Sequence, residues 1–210
     1  MAACYHVDSA PALHFGKQFL DWEARSMNKF FGGIRQNGYV VSDLEAAIRH
    51  WTTVVGVGPF YRLDHDPLDY FTYQGEPSAP DLSIALANSG DLQIELIQQL
   101  NDAPSPWRNF ALAKGAGLHH VSGWTQTYDS DLKKLDELGF VPTCEGSIGG
   151  AARFAYFMAN NLDGTAIEVG DLASPEFQQL FELIHRSAAQ WNGDDPVRHL
   201  FGALAELQNQ

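Results

Sequence analysis

The fold is decided by two stretches of the chain, Ile34-Arg35-Gln36-Asn37-Gly38-Tyr39-Val40-Val41 and Gly117-Leu118-His119-His120-Val121-Ser122-Gly123-Trp124. Each reads as the first strand of a unit in which a helical pattern and further strands follow. Each unit closes with a strand that carries a glutamate, Glu95 in the first unit and Glu168 in the second. The sequence therefore predicts one βαβββ unit given twice.

Composition excludes several classes of function. With 210 residues and 45% hydrophobic content the chain can bury a core, and 19 glycines and 10 prolines suit short strands joined by turns. The formal charge of -13 argues against nucleic acid, which needs a basic surface. The sequence shows neither an apolar stretch of bilayer length nor a signal-peptide pattern, and Cys4 and Cys144 predict no disulfide framework. We expect a cytoplasmic protein whose partners are neither nucleic acid nor membrane.

The predicted fold class is α+β. The two tandem units should form a curved, cup-like mixed sheet with helices outside it, and helical extensions should stand at both ends. A helix is expected within each extension, at residues 14–31 and 174–190. The expected segments are an N-terminal extension at 1–32, the first unit at 33–100, a linker at 101–116, the second unit at 117–170 and a C-terminal helical tail at 171–210.

Local signals place the elements within each unit. Ser42 and Glu45 have the spacing of a capping box, and an apolar helical face follows them, formed by Leu44, Ala47, Ile48 and Trp51. Four candidate segments follow, at 60–65, 70–75, 81–87 and 91–98. Three of them should be strands, and one should be a bridging segment. The second unit should hold a helix at about 128–138 and strands at 117–125, 140–145, 152–159 and 165–170.

Alternation along the strands decides which side chains face the inside of the cup. The apolar neighbours of Glu95 and of Glu168 share the opposite face, so both glutamates point away from the helix-covered side. His120 is the second unit's counterpart of Gln36, near the start of the first strand. Alternation sends the adjacent His119 to the other face, where we expect a packing or hydrogen-bonding role.

Polar residues at corresponding places in the two units predict a metal site. The set is Gln36, Glu95, His120 and Glu168. A single glutamate in a strand is usually exposed and would not support this inference, but the repeated placement does. An amide, an imidazole and two carboxylates are a plausible ligand set for one divalent ion, with Zn, Ni, Co, Mn and Fe all open.

The chain resembles the vicinal-oxygen-chelate superfamily over roughly residues 33–170. The resemblance rests on the proposed ligand positions and on three strings, Gly56-Val57-Gly58-Pro59-Phe60, Gly117-Leu118-His119-His120 and Arg153-Phe154-Ala155-Tyr156-Phe157. The superfamily includes glyoxalases, methylmalonyl-CoA epimerase, extradiol dioxygenases and bleomycin-resistance proteins. The proposed ligands come in the order Gln, Glu, His, Glu, which is similar to the metal ligands of eukaryotic-type glyoxalase I. At two of the four ligand positions the residue type agrees with methylmalonyl-CoA epimerase.

The resemblance implies a glyoxalase-like, metal-dependent isomerase, epimerase or lyase. Such an enzyme removes a proton from a carbon beside a carbonyl group of a small-molecule substrate. Glu168 is implied as the base and Glu95 as its partner, while Gln36 and His120 hold the metal. Candidate substrate contacts are Trp124, Tyr73, Arg153 and Tyr156, although sheet packing for the aromatic residues and a surface ion pair for Arg153 explain these positions equally well.

Two other functions stay open. An extradiol-type dioxygenase uses two histidines and one glutamate around iron, and Gln36 in place of the first histidine disfavours it. A non-catalytic small-molecule-binding protein of the same fold is the other alternative. Val40 and Ala116 stand where glyoxalase I carries arginines for glutathione, which argues against that cosubstrate. A homodimer is expected because dimers are common in the superfamily.

Overall fold

The structure is a computed structural model that describes residues 32–65, 68–149, 152–158, 165–200 and 202–203. Its strands are β1 (Gln36–Val40), β2 (Phe60–Leu63), β3 (Leu68–Tyr73), β4 (Glu76–Pro77), β5 (Leu82–Ser89), β6 (Leu92–Gln99), β7 (Gly117–Thr125), β8 (Cys144–Ile148), β9 (Ala152–Phe157), β10 (Ala166–Asp171) and β11 (Val197–His199). Its helices are α1 (Leu44–His50, continued by a π-helical turn at Trp51–Val55), α2 (Pro106–Lys114), α3 (Tyr128–Glu137) and α4 (Pro175–Gln190). The helix expected at 14–31 lies outside the described residues.

The described strands form one curved sheet that does not close, in the order β11-β2-β5-β6-β1-β7-β10-β9-β8-β3-β4. In each unit the first strand pairs in parallel with the glutamate-bearing strand, β1 with β6 and β7 with β10. The first strands of the two units pair antiparallel at the centre of the sheet. The predicted α+β class with a cup-like mixed sheet is therefore confirmed.

One candidate strand of the first unit crosses to the second. β3 pairs antiparallel with β8 across Tyr73↔Cys144, and the short β4 pairs with β3 at the edge. The bridging piece among the four candidates is therefore the one expected at 70–75. At the opposite edge β11 pairs in parallel with β2, so the C-terminal segment also joins the sheet.

Helix α1 covers the convex face of the first unit. Its N-cap is Asp43, whose side chain accepts a hydrogen bond from the Ala46 amide at 2.9 Å, so the capping role expected for Ser42 was wrong by one residue. The Ser42 carbonyl accepts a hydrogen bond from Gln98 Nε2 at 3.0 Å. The apolar side of the helix packs on alternate residues of β6, in a cluster that contains Leu44, Ile48, Ile94 and Leu96.

The C-terminal helix packs inside the cup. Ser174 caps α4 by accepting a hydrogen bond from the Phe177 amide, and Pro175 occupies the first turn. Leu180 and Ile184 are fully buried. They pack in one cluster with the concave side chains of the first unit, which include Leu63, Ile84, Leu86 and Ile97. The predicted tail helix is thus a filling element of the concave face.

The concave side of the second unit is filled by aromatic residues. The segment expected as a linker contains α2, which is capped by Ser105 and places Trp107 in the core at 3% exposure. The Trp107 ring stacks on Phe71 at 5.3 Å between centroids and meets Tyr156 edge-on at 5.7 Å. Both halves of the cup are therefore packed, and open space is left between them.

Strand register sets the candidate site at the centre of the sheet. Gly38 of β1 lies between Glu95 of β6 and His120 of β7 in one row of paired residues. A Cβ built at Gly38 would overlap the imidazole ring of His120. Because Gly38 has no side chain, the His120 ring occupies that space and extends across β1 toward Glu95.

We predict that Gly38→Ala destabilises the fold by about 1–3 kcal/mol, the usual cost of overpacking a filled position. The matched control is Gly33→Ala, because a Cβ there meets nothing within 4 Å; its effect should stay within about 0.5 kcal/mol. Urea unfolding curves give both free energies. Equal stabilities for the two variants would show that the His120 ring does not depend on Gly38.

Candidate functional site

Three of the four proposed ligands meet around one nitrogen atom. His120 has no exposed surface, and its Nε2 lies 3.2 Å from Glu95 Oε2 and 3.4 Å from Glu168 Oε2. The two carboxylates come from the last strands of the two units, and the imidazole comes from the first strand of the second. The duplication therefore brings together residues that are far apart in the sequence.

Gln36, the fourth proposed ligand, lines the same cavity as Glu95 and Glu168. It is 5% exposed, and its Nε2 donates a hydrogen bond of 2.7 Å to Oε1 of Gln93 on the adjacent strand β6. Because the amide nitrogen of Gln36 is bonded to Gln93, its carbonyl oxygen is the amide atom available to the cavity. Oxygen is the amide atom that binds cations.

The electrostatics of the site favour a positive charge beside Glu95 and Glu168. Burial by itself would lower the pKa of His120, but the carboxylates of Glu168 and Glu95 raise it to about 9. Burial raises the pKa of Glu95, and His120 opposes that change. Charges in such a place interact strongly because little water screens them.

His119 lies on the same side of the sheet as His120, contrary to the expectation from simple alternation. The register of β1 against β7 shifts after Gly38, so His119 and His120 together stand opposite a single residue, as in a β-bulge. Their Nδ1 atoms are 3.2 Å apart. Burial and the charge of His120 lower the pKa of His119 to about 3, so its ring is neutral and one Nδ1 donates to the other. The expected packing and hydrogen-bonding role thus falls inside the cup, where His119 fixes the orientation of His120.

The site opens into a cavity with mainly apolar walls. The space between atoms in this region, including solvent at the open mouth of the cavity, is about 690 Å³. The polar residues Gln36, Glu95 and Glu168 form one part of its lining. Apolar side chains from the sheet and from α4 form most of the rest, including Leu63, Ile84, Leu86, Phe154, Phe177, Leu180 and Phe181.

The structure places the four candidate substrate contacts differently. Trp124 lines the cavity and packs on Phe181 with 4.7 Å between ring centroids. Tyr156 is buried, and its hydroxyl is 3.5 Å from His120 Nε2. Tyr73 belongs to the aromatic core, and its hydroxyl accepts a hydrogen bond of 2.7 Å from Asn109 Nδ2.

Arg153 lines the cavity but is already paired with two carboxylates. Its guanidinium contacts Asp171 at 2.8 Å and Asp129 at 2.6 Å, and it lies 4.6 Å from the centre of the Tyr128 ring. These partners match the ion-pair explanation of Arg153 more closely than a contact with an acidic substrate group. They also join β9, β10 and α3 at the rim of the cavity.

The residues present suit a divalent cation in their chemistry. Within the described part of the chain, no three His, Cys, Asp or Glu side chains are grouped closely enough to form a preset metal cage. The donor set nevertheless combines one imidazole, two carboxylates and one amide oxygen, which are ordinary ligands of divalent transition metals. Glu95 Oε2 is buried and makes no hydrogen bond of regular geometry among the described residues. A cation would give this atom a further partner besides His120 Nε2, which lies 3.2 Å away.

Three contributors to the site were not recognised as such in the sequence. Gly38 makes room for His120, Gln93 binds the amide of Gln36, and His119 binds the ring of His120. Gln93 does share a strand face with Glu95, which was the available signal. Its contact with Gln36 depends on the pairing of β1 with β6, and periodicity in a single strand cannot give that pairing.

Comparison with known proteins supports the fold. The family model described as the glyoxalase/bleomycin resistance protein/dioxygenase superfamily matches residues 35–157. The structure is similar to methylmalonyl-CoA epimerase from Mycobacterium tuberculosis, with a TM-score of 0.51 and 17% identity over 71% of this chain and 93% of that one. A Streptomyces coelicolor methylmalonyl-CoA epimerase variant, in complex with 2-nitronate-propionyl-CoA, has a TM-score of 0.48 and 17% identity over 67% and 97% of the two chains.

At 17% identity, the similarity to the Mycobacterium tuberculosis epimerase shows a shared fold alone. No curated protein is similar enough to this chain to match it. Among the described residues, no helix is long and apolar enough to cross a membrane. Since the matching family model spans more than half of the 210 residues, the chain belongs to the glyoxalase/bleomycin resistance protein/dioxygenase superfamily.

Proposed function

We propose that the protein is a divalent-metal-dependent isomerase, epimerase or lyase that moves a proton on a carbon beside a carbonyl group. The observation that carries this proposal is the buried His120 between Glu95 and Glu168, two carboxylates that line one largely apolar cavity. The epimerases with similar structures make this class of reaction a natural one for the fold.

Each residue of the site has a role in this proposal. Gln36, Glu95, His120 and Glu168 would hold the metal, which supplies Lewis-acid stabilisation of negative charge on the carbonyl oxygen. Glu168 is the base that accepts the carbon-bound proton, and Glu95 is the second carboxylate, available to return a proton.

Tyr156 contacts the site through His120, with 3.5 Å between its hydroxyl and His120 Nε2. Burial, together with the charges of Glu168 and Glu95, raises the pKa of Tyr156 well above its ordinary value. Its hydroxyl therefore keeps its proton across the physiological pH range. A neutral hydroxyl beside the His120 ring can share a hydrogen bond with that ring without adding to the negative charge of the site.

The cavity indicates the kind of substrate. Its walls are largely apolar, and Arg153 is neutralised by Asp129 and Asp171. We therefore favour a carbonyl compound with a small apolar substituent at the reacting end. Acyl thioesters substituted at carbon 2 and adducts of 2-oxoaldehydes are the classes to screen.

Two alternatives make different predictions. An extradiol-type dioxygenase would require ferrous iron and would consume oxygen. A non-catalytic binding protein would take up a hydrophobic small molecule and would function without any metal. Homodimerisation and a cytoplasmic location stay predictions.

We predict that the purified protein binds about one equivalent of Zn²⁺, Ni²⁺, Co²⁺ or Mn²⁺, and that His120→Ala lowers the affinity by tenfold or more. Loss of a residue that only orients a ligand already costs about 10- to 100-fold, so loss of a ligand should cost at least as much. Metal analysis after dialysis measures the effect, with His50→Ala on the exposed side of α1 as the control. Full metal retention by His120→Ala would contradict the proposed ligand set.

We predict that Glu168→Gln keeps most of the bound metal, because the amide oxygen of glutamine can still bind a cation. The variant should slow exchange of the substrate's carbon-bound proton by about 10²- to 10⁴-fold, the usual contribution of a general base. Deuterium incorporation from D₂O, followed by NMR across the two substrate classes, measures this. Glu137→Gln, on the exposed side of α3, is the control. Exchange at the wild-type rate in Glu168→Gln would refute the role as base.

A further inference from the structure

We infer that Gln93 is a positioning residue that keeps the carbonyl oxygen of Gln36 directed toward the cation site. This inference rests on the proposed function, because it assigns to Gln93 a purpose in metal binding. Gln93 itself contacts neither cation nor substrate in this account, and it acts only through Gln36.

The geometry gives Gln93 one clear contact with the site. Gln36 and Gln93 are direct partners in the parallel pairing of β1 with β6. The hydrogen bond from Gln36 Nε2 to Gln93 Oε1 is 2.7 Å long, and the two residues are 5% and 1% exposed. Buried amides are usually hydrogen-bonded, and the acceptor on Gln93 is the protein contact that orients the Gln36 amide.

Without the acceptor on Gln93, the side-chain amide of Gln36 would rotate so that its nitrogen faces the cation site. Glu95 and Glu168 line the same cavity, and carboxylates form strong hydrogen bonds with N–H donors. The –NH₂ group of Gln36 would therefore turn toward the carboxylates. In that orientation it would present two hydrogens to the place where a cation must bind, and it would also occupy carboxylate lone pairs that the cation needs.

Strand β5 lies on the other flank of Gln93. Gln93 Nε2 is buried and has no hydrogen-bond partner among the described residues, and the same holds for Asn88 Oδ1. Gln93 and Asn88 are direct partners across β5 and β6, and both line a polar cleft beside the cavity. Among the described residues, the Gln93 amide is therefore held by its hydrogen bond to Gln36.

The test is a double-mutant cycle with Co²⁺ as the probe. Gln93→Leu removes the acceptor, and we expect it to weaken Co²⁺ affinity about 10- to 100-fold, as measured by competition with a chelating indicator. Gln36→Glu replaces the amide by a carboxylate, whose two oxygens are equivalent and need no orienting partner. In that background Gln93→Leu should change the affinity by less than about threefold.

Two controls separate positioning from general damage. Ser122→Ala removes a buried hydroxyl on the other flank of Gln36, where Ser122 is its partner on β7, and it should leave Co²⁺ affinity unchanged. Gln93→Met keeps the length of the side chain without an acceptor and repeats the test if Gln93→Leu fails to fold. The thermal unfolding midpoint of each metal-free variant, together with the visible absorption of its Co²⁺ complex, is recorded alongside.

The outcomes are distinct. A loss of affinity confined to the Gln36 background supports the positioning role. An equal loss in both backgrounds, or no loss in either, overturns it while the proposed function stands. A wild-type chain that binds no Co²⁺ removes the proposed metal-dependent function, and this inference with it.

Discussion

The organisation of the site depends on the buried contact of one imidazole with two carboxylates, and a cation bound at His120 Nε2 would take the place of the proton there. His120 lies between Glu95 and Glu168 at the centre of the sheet, where an unpaired charge would be very costly. The repeated unit supplies the partners, since the parallel pairing of first and last strands puts each glutamate beside a first strand. Gly38 completes the arrangement by leaving the space that the His120 ring fills. The pairing of the strands therefore determines the site, and a change in strand register would separate the His120 ring from its carboxylate partners.

The packing around this contact determines what chemistry it can support. Helix α4 fills the concave face of the first unit, and the aromatic cluster around Trp107 fills that of the second. The cavity left between them has apolar walls and one polar end, so charges inside it are screened by little water. Such surroundings strengthen every interaction of a bound carbonyl group with its polar partners. The secondary contacts, from His119 to His120 and from Gln93 to Gln36, fix the direction of side chains that would otherwise be free to rotate.

The cup-shaped sheet and the positions of the two glutamates could be predicted from the sequence, because alternation within a strand and repetition of a unit are both visible there. Alternation along β6 and β10 placed Glu95 and Glu168 on the concave face, and the repeated unit predicted the cup. Other features depend on how strands pair, which no single strand reveals. Such features include the bulge that turns His119 into the cup, the pairing of β3 with β8 and the position of α4 inside the concavity. The predicted N-cap of α1 was wrong by one residue because Ser42 and Asp43 are both good capping residues. The helix begins at Leu44, so Asp43 is the cap.

The most direct test of the account is a crystal structure of the metal-loaded protein with anomalous scattering recorded at the absorption edge of the metal. The proposed metal site requires one strong peak at the polar end of the cavity, within bonding distance of His120 Nε2, a carboxylate oxygen of both Glu95 and Glu168, and Gln36 Oε1. A peak elsewhere in the molecule, or no peak in protein saturated with Co²⁺ or Zn²⁺, would contradict it.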